Sequence, residues 1–143
     1  MTSIVIKNSF AELTRLSEET ERALAAAGVP PPIILSANLV LEEMVTNVIK
    51  YGFADDAEHE IEIFLNVENG ELAISVADEG MAFNPLTAPE PDLSAPIEER
   101  KIGGLGVLMV RKLMDHVNYR REGNKNIFTA RKKLAPAKNH PHR

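Results

Sequence analysis

The sequence predicts an α/β fold, a two-layer sandwich in which a mixed, mostly antiparallel sheet carries helices on one face. Three observations predict it. Residues 60–76 alternate apolar and polar on both sides of Asn69-Gly70, which is the pattern of a hairpin with one buried face. Two segments with helical periodicity precede that hairpin, and a second alternating pair follows around Gly123-Asn124. The chain has 143 residues, 44% of them apolar, enough for one domain with a real core.

Residues 3–8 alternate around Ile4 and Ile6 and read as a short strand. Residues 10–27 are helix formers, with Phe10, Leu13, Leu16, Thr20 and Leu24 near one face; Ser9 followed by Glu12 is a capping-box signature, and Gly28 ends the segment. Pro30, Pro31 and Pro32 predict a turn, and the second helix is expected over 33–50. Its buried stripe is Ile34, Ala37, Leu41, Met44, Val45 and Val48. In the hairpin, Ile61, Ile63, Leu65 and Val67 face one way, and Leu72, Ile74 and Val76 continue that face on the partner strand. Residues 86–102 hold Pro89, Pro91 and Pro96, little periodicity and several acidic residues, and read as a functional lid. A helix is then expected over 105–115, with strands over 117–121 and 127–133. Residues 135–143 read as a disordered tail, leaving 1–134 as one domain.

Composition removes several function classes. A net charge of −5 and a pI near 5.4 argue against non-specific nucleic-acid binding, which needs a basic stripe. With no cysteine there is no disulfide framework and no thiolate metal site, and His59, His116, His140 and His142 form no ligand cluster. The N-terminus lacks the pattern of a signal peptide, and no apolar stretch approaches the ~20 residues of a membrane span. A soluble, cytoplasmic protein is the expectation.

Three segments carry the chemistry. In LEEMVTNVIKYG, Glu43 and Asn47 stand four residues apart, so both side chains leave one helical face. A carboxylate beside an amide oxygen can bind a hard cation or orient a proton-bearing nucleophile; the same pair also occurs on ordinary solvated faces. In DEGMAFNP, Asp78 ends a strand before Gly80, which fits either a turn opener or a buried carboxylate in need of a partner. In GGLGVLMVRKLMD, Gly103, Gly104 and Gly106 precede a helix. Glycines there let backbone N–H groups approach a phosphate at a helix N-terminus, or simply end a loop. The segment is not a P-loop, since no Gly-Lys-Ser/Thr follows.

In this order the segments EEMVTNVIKYGF, DEGMAFNP and GGLGVLMVRKLMDHVNY resemble the N, G1 and G2 boxes of the Bergerat-fold ATPases, the group of gyrase B, Hsp90, histidine kinases and MutL. The likeness runs from about Ile4 to Leu134 and is closest to the anti-sigma factor and serine-protein kinase branch, the RsbW and SpoIIAB type. The resemblance implies the Bergerat ATPase fold, ATP and Mg²⁺ as ligands, and phosphorylation of a serine on an anti-anti-sigma (STAS-domain) partner. Sequestration of a sigma factor and homodimer formation are further implications.

By the same resemblance Glu43 is the general base, Asn47 the magnesium ligand, and Asp78 with Gly80 the acceptor of the adenine amine. Gly103, Gly104, Leu105 and Gly106 supply the phosphate-binding backbone, and Thr129 sits near adenine. Arg100 and Lys101 either reach the phosphates from the lid or solvate it. The sequence departs from the family pattern at Tyr51, where relatives often have histidine, and at Ala82, where many have glycine. The alternatives are a nucleotide-dependent binding module without phosphotransfer and a detached histidine-kinase catalytic domain. Limited proteolysis provides a check on the lid: cleavage within 86–102 is expected in the free protein and is expected to slow with Mg-ATP. Equal cleavage under both conditions would remove the lid assignment.

Overall fold

The computed structural model describes residues 1–87 and 102–135, without the side chains of 102–105. The expected lid beyond residue 87, with Arg100 and Lys101, and the tail beyond residue 135 lie outside the described residues. Strand β1 spans Thr2–Lys7, helix α1 Leu13–Ala26, helix α2 Pro31–Tyr51, strand β2 Glu60–Glu68 and strand β3 Glu71–Asp78. Helix α3 spans Ile102–Leu113, strand β4 His116–Glu122 and strand β5 Lys125–Lys133.

The strands form one sheet in the order β1-β2-β3-β5-β4. All four pairings are antiparallel, where the sequence had allowed a mixed sheet. The connections explain this. Between β1 and β2 the chain runs through two helices joined by a short turn, so it reverses three times and β2 returns beside β1 in the opposite direction. A single crossover helix would have made that pair parallel. Helix α3 is such a single crossover, and β3 and β4 do run the same way. The β4–β5 hairpin folds β5 back between them, so the two never pair.

Period-two alternation sends one face of the sheet into the core. Ile4, Ile6, Ile61, Ile63, Leu65, Leu72, Ile74, Val76, Phe128 and Ala130 are all buried on that side. Helix α1 covers it with Leu16, Thr20 and Leu24, and α2 with Ile34, Ala37, Val40, Leu41, Met44 and Val45. Val107, Val110 and Met114 close the core from α3 and the turn after it. By length and mean hydropathy α2 does reach the range of a membrane span, which the sequence reading had not credited to it. Its apolar stripe is packed against the sheet, which accounts for that composition in a core helix.

Local signals behave as their chemistry requires, with three shifts. The hairpin turn Asn69-Gly70 has φ of 55° and 73°, the two positive values of a type I′ turn. Pro31 and Pro32 start α2 instead of preceding it, because the first helical turn needs no N–H donors. At the start of α1 a short 3-10 turn, Phe10–Glu12, precedes the α-helix. Ser9 Oγ accepts from the Ala11 N–H at 3.3 Å, while Glu12 reaches back to the N–H of Lys7 at 2.9 Å, beyond Ser9. Helix α3 begins at Ile102 and not at Leu105, so Gly103 and Gly104 lie within its first turn.

Ile74 sits fully buried at the centre of β3. Ile74→Ala is expected to cost about 2–5 kcal/mol in a denaturant melt, the range for truncating a buried aliphatic side chain. A cost below about 1 kcal/mol would show that the site collapses around the smaller residue.

Candidate functional site

The antiparallel register gathers the site at one end of the sheet. Asp78 at the end of β3 pairs with Asn126 at the start of β5, and Asn126 pairs on its other side with Arg121 near the end of β4. The last turns of α2 lie over the same end, where the Met81 N–H bonds the Gly52 carbonyl at 2.8 Å. A cavity of about 30 Å³ opens between them. Its walls are apolar, from Met44, Val48, Val76, Met81, Phe83 and Phe128, and its polar groups are Asn47, Asp78, Tyr119 and Asn126. That volume holds about two waters. Met81 and Phe83 are 52% and 43% exposed and so form the part of the cavity wall that faces solvent.

Asp78 is buried and held by two donors on one oxygen. Its Oδ1 accepts from the Gly80 N–H at 2.8 Å and from Asn126 Nδ2 at 3.1 Å. Oδ2 has no hydrogen-bond partner among the described residues, although the residue lines the cavity. A carboxylate oxygen in such surroundings favours an N–H donor, and an exocyclic amine of a base fits that requirement. Gly80 is required by space: a Cβ there would collide with the Gly52 carbonyl and crowd Asp78 itself.

Asn126 was not among the residues singled out from sequence, yet it organises this corner. Its amide N–H groups go to Asp78 Oδ1 and to the Met81 carbonyl at 2.8 Å. Its carbonyl oxygen accepts from the Tyr119 hydroxyl at 2.5 Å, from Arg121 Nη1 at 3.1 Å and from the Phe83 N–H at 3.3 Å. Donors on one side and acceptors on the other leave only one orientation of the amide. Arg121 also donates to the Gly80 carbonyl at 2.8 Å, tying the turn after Asp78 to β4.

Thr129 requires a correction. It had been matched to the adenine contact, but it alternates with buried Phe128 and Ala130 and so points to the opposite, open face of the sheet. There it pairs with Ser75, their hydroxyls 3.4 Å apart. Asn126, an odd number of residues earlier, is the β5 side chain that reaches the cavity. A one-residue parity error moves a strand side chain to the other face, and no motif in β5 marks its parity.

Glu43 and Asn47 meet as helical spacing requires: Asn47 Nδ2 donates to Glu43 Oε2 at 3.3 Å. Asn47 is buried and lines the cavity; its Oδ1 stays available to a cation. Glu43 is half-buried, and burial raises its carboxyl above the ordinary value of 4.5, against the opposing pull of the Asn47 hydrogen bond and of Lys50. Helix α3 brings Gly106 so close that any Cβ there would collide with the Glu43 carboxyl group. The glycine therefore lets the N-terminal turns of α3 lie beside the carboxylate. Gly103 and Gly104 belong to that same first turn, where backbone N–H groups lack intrahelical partners; the side chain of Leu105 lies outside the described residues. Tyr51 is exposed at the end of α2, its ring 6.4 Å from that of Phe83.

Comparison with known proteins gives this geometry its family. The profile of the histidine kinase-like ATPase domain matches residues 6–132. The chain belongs to that family. It is 28% identical over 128 residues to the serine-protein kinase RsbW of Listeria monocytogenes, a match covering 86% of this chain and 80% of the relative. With the serine/threonine-protein kinase BtrW of Bordetella bronchiseptica it shares 26% identity over 98 residues, 68% of this chain and 69% of the relative. With the anti-sigma F factor of Geobacillus stearothermophilus it shares 29% over 94 residues, 66% and 64% of the two chains. Among solved structures, a Mycobacterium tuberculosis protein with RsbU and RsbW domains superposes with a TM-score of 0.64 at 17% identity. That match covers 96% of this chain and 34% of the longer one. The Bergerat-type ATPase fold expected from the three boxes is thereby confirmed for this histidine kinase-like domain.

The raised carboxyl of Glu43 has a consequence for stability. A carboxyl whose folded-state pKa exceeds its unfolded value opposes folding once ionised; the cost is absent below the ordinary pKa and complete above the raised one. Glu43→Gln is therefore expected to raise the Tm at about pH 8 and to leave it unchanged well below pH 4.5. A Tm difference that is constant with pH would remove the burial argument.

Proposed function

We propose that this chain is an anti-sigma type protein-serine kinase that transfers the γ-phosphoryl group of Mg-ATP to a serine on a STAS-domain partner. The same surface system would hold a sigma factor, with the phosphorylation state of the partner deciding which protein is bound. The observation that carries the proposal is Glu43. It is a half-buried carboxylate with a raised pKa, one helical turn from a buried amide and packed against the glycine-bearing start of α3. The relatives, two kinases and an anti-sigma factor, support the same reading.

Each residue has a distinct task in this scheme. Asp78, oriented by Gly80 and Asn126, accepts the exocyclic amine of adenine, and the apolar walls sandwich the ring. Asn47 presents its amide oxygen to Mg²⁺, which suits a hard cation that keeps waters and phosphate oxygens as its remaining ligands. Bound there, the ion would neutralise charge on the transferring group. The unpartnered N–H groups of Gly103 and Gly104 would face phosphate at the positive end of α3, while the N–H groups of Leu105 and Gly106 belong to the helix ladder and Gly106 serves the close approach to Glu43. Glu43 takes the serine proton as the O–P bond forms and the bond to ADP breaks. A carboxyl raised by burial is the better base, so the rate should fall as pH drops through that raised value. A cytoplasmic location and a dimeric state accompany the proposal as family expectations.

The test combines binding with transfer. Glu43→Gln is expected to keep ATP affinity and to lose about 10²–10⁴-fold in phosphotransfer to a STAS-domain protein of the same genome. Asn47→Ala should lose Mg-dependent binding and transfer together, and Asp78→Asn should weaken ATP and ADP equally. Calorimetric titration and a labelled-ATP assay give the comparison. Transfer by Glu43→Gln at the wild-type rate would refute the base assignment. Nucleotide binding by the wild type without any acceptor phosphorylation would leave a nucleotide-dependent binding module.

A further inference from the structure

An apolar groove runs between α1 and α2 on the outer side of the helical layer, away from the nucleotide cavity. It encloses about 240 Å³ and is lined by Leu13, Leu16 and Ser17 from α1 and by Leu35, Leu39 and Glu42, among others, from α2. Leu35 and Leu39 are 61% and 39% exposed. These are long aliphatic side chains on a helix whose other Ile, Leu, Val and Met residues are packed into or against the core, so their exposure is not needed by the fold.

Their spacing links the groove to the chemistry. Leu35, Leu39 and Glu43 occupy successive i, i+4 positions of α2, and so form one ridge along its surface. With a rise of about 1.5 Å per residue, Leu39 stands about 6 Å and Leu35 about 12 Å from the level of Glu43. Glu42, which lines the end of the groove beside that carboxylate, is exposed and makes no ion pair among the described residues. An apolar ridge that ends on a carboxylate rim and on the candidate base has the layout of a substrate-docking track.

We propose that the Leu35–Leu39 ridge is the docking track for the protein acceptor, and that Glu42 selects a basic residue beside the serine to be phosphorylated. The occupant is a protein surface that carries an apolar side chain about 6 Å from its serine hydroxyl, a second about 12 Å away, and a Lys or Arg near the serine. Seating those apolar groups on Leu39 and Leu35 delivers the hydroxyl to the level of Glu43, and the Glu42 carboxylate meets the basic residue. The inference rests on the kinase reading given above and adds the acceptor features that the site would recognise.

The experiment uses the full chain and the STAS-domain protein of the same genome as probe, with Leu35→Ala/Leu39→Ala and Glu42→Lys as variants. Alanine keeps helix propensity, and neither leucine is part of the core. The KM for the acceptor is expected to rise at least tenfold in both variants. In the leucine double variant the kcat at saturating acceptor, the ATP affinity and the Tm should stay at wild-type values; Glu42→Lys is read on the acceptor KM alone, because Glu42 also acts electrostatically on the Glu43 carboxyl. The Glu42→Lys effect should shrink at high salt, because the pair is exposed. An unchanged KM in the leucine double variant overturns the proposal. So does a fall in ATP affinity or Tm, which would make the ridge structural. Conversion of a wild-type dimer to a monomer by the double variant also overturns it, by assigning the ridge to a second copy of this chain. A wild type that phosphorylates no STAS protein fails at the kinase reading itself, a result distinct from equal activity of wild type and variants.

Discussion

The burial of one face of the sheet beneath α2 is the constraint on which the rest of this structure depends. The same helix that supplies Leu41, Met44 and Val45 to the core carries Glu43 and Asn47 on the adjoining edge. A 100° step per residue turns a buried stripe into a cavity wall within a fraction of a turn. Core packing thereby sets the position of the polar pair to the accuracy of a close-packed interior, without a dedicated scaffold. The partial burial that raises the Glu43 carboxyl is a by-product of the same packing.

The other half of the site comes from strand ends. The β3–β5 register places Asp78 opposite Asn126, and the amide network of Asn126 joins β3, β4 and the turn after Gly80 into one rigid corner. Two glycines make the approach of these parts possible. Gly80 lets that turn touch the end of α2, and Gly106 lets α3 touch Glu43. In both places a methyl group would occupy space already filled by carbonyl or carboxylate atoms. These glycines serve close approach and not a left-handed backbone, unlike Gly70 and Gly123 in the hairpin turns.

The fold places two cavities on opposite edges of α2. One lies towards the sheet end beside Asp78 and Asn126, and the α1–α2 groove lies on the outer surface. Glu43 stands between them on a ridge shared with Leu35 and Leu39. In the proposed scheme this boundary lets one carboxylate touch an acceptor hydroxyl while a phosphoryl group approaches from the other side.

Much of this was determined by the sequence alone. The Asn69-Gly70 hairpin, the buried stripe of α2 and the adjacency of Glu43 and Asn47 follow from short-range periodicity and local backbone chemistry, and the three boxes from their resemblance to a known family. Those features depend on residues within a few positions of one another, so a linear pattern contains them. The tertiary structure decided what depends on distant segments. The sheet became wholly antiparallel because two helices, not one, separate β1 from β2, and because β5 inserts between β3 and β4. The β5 residue beside Asp78 proved to be Asn126 and not Thr129, since strand parity is set by pairing across 48 residues of chain and by nothing local. Whether Gly106 acts as loop, phosphate contact or neighbour of Glu43 likewise became visible only once α2 and α3 were packed together, because the close contact of two helices is a property of neither sequence segment by itself.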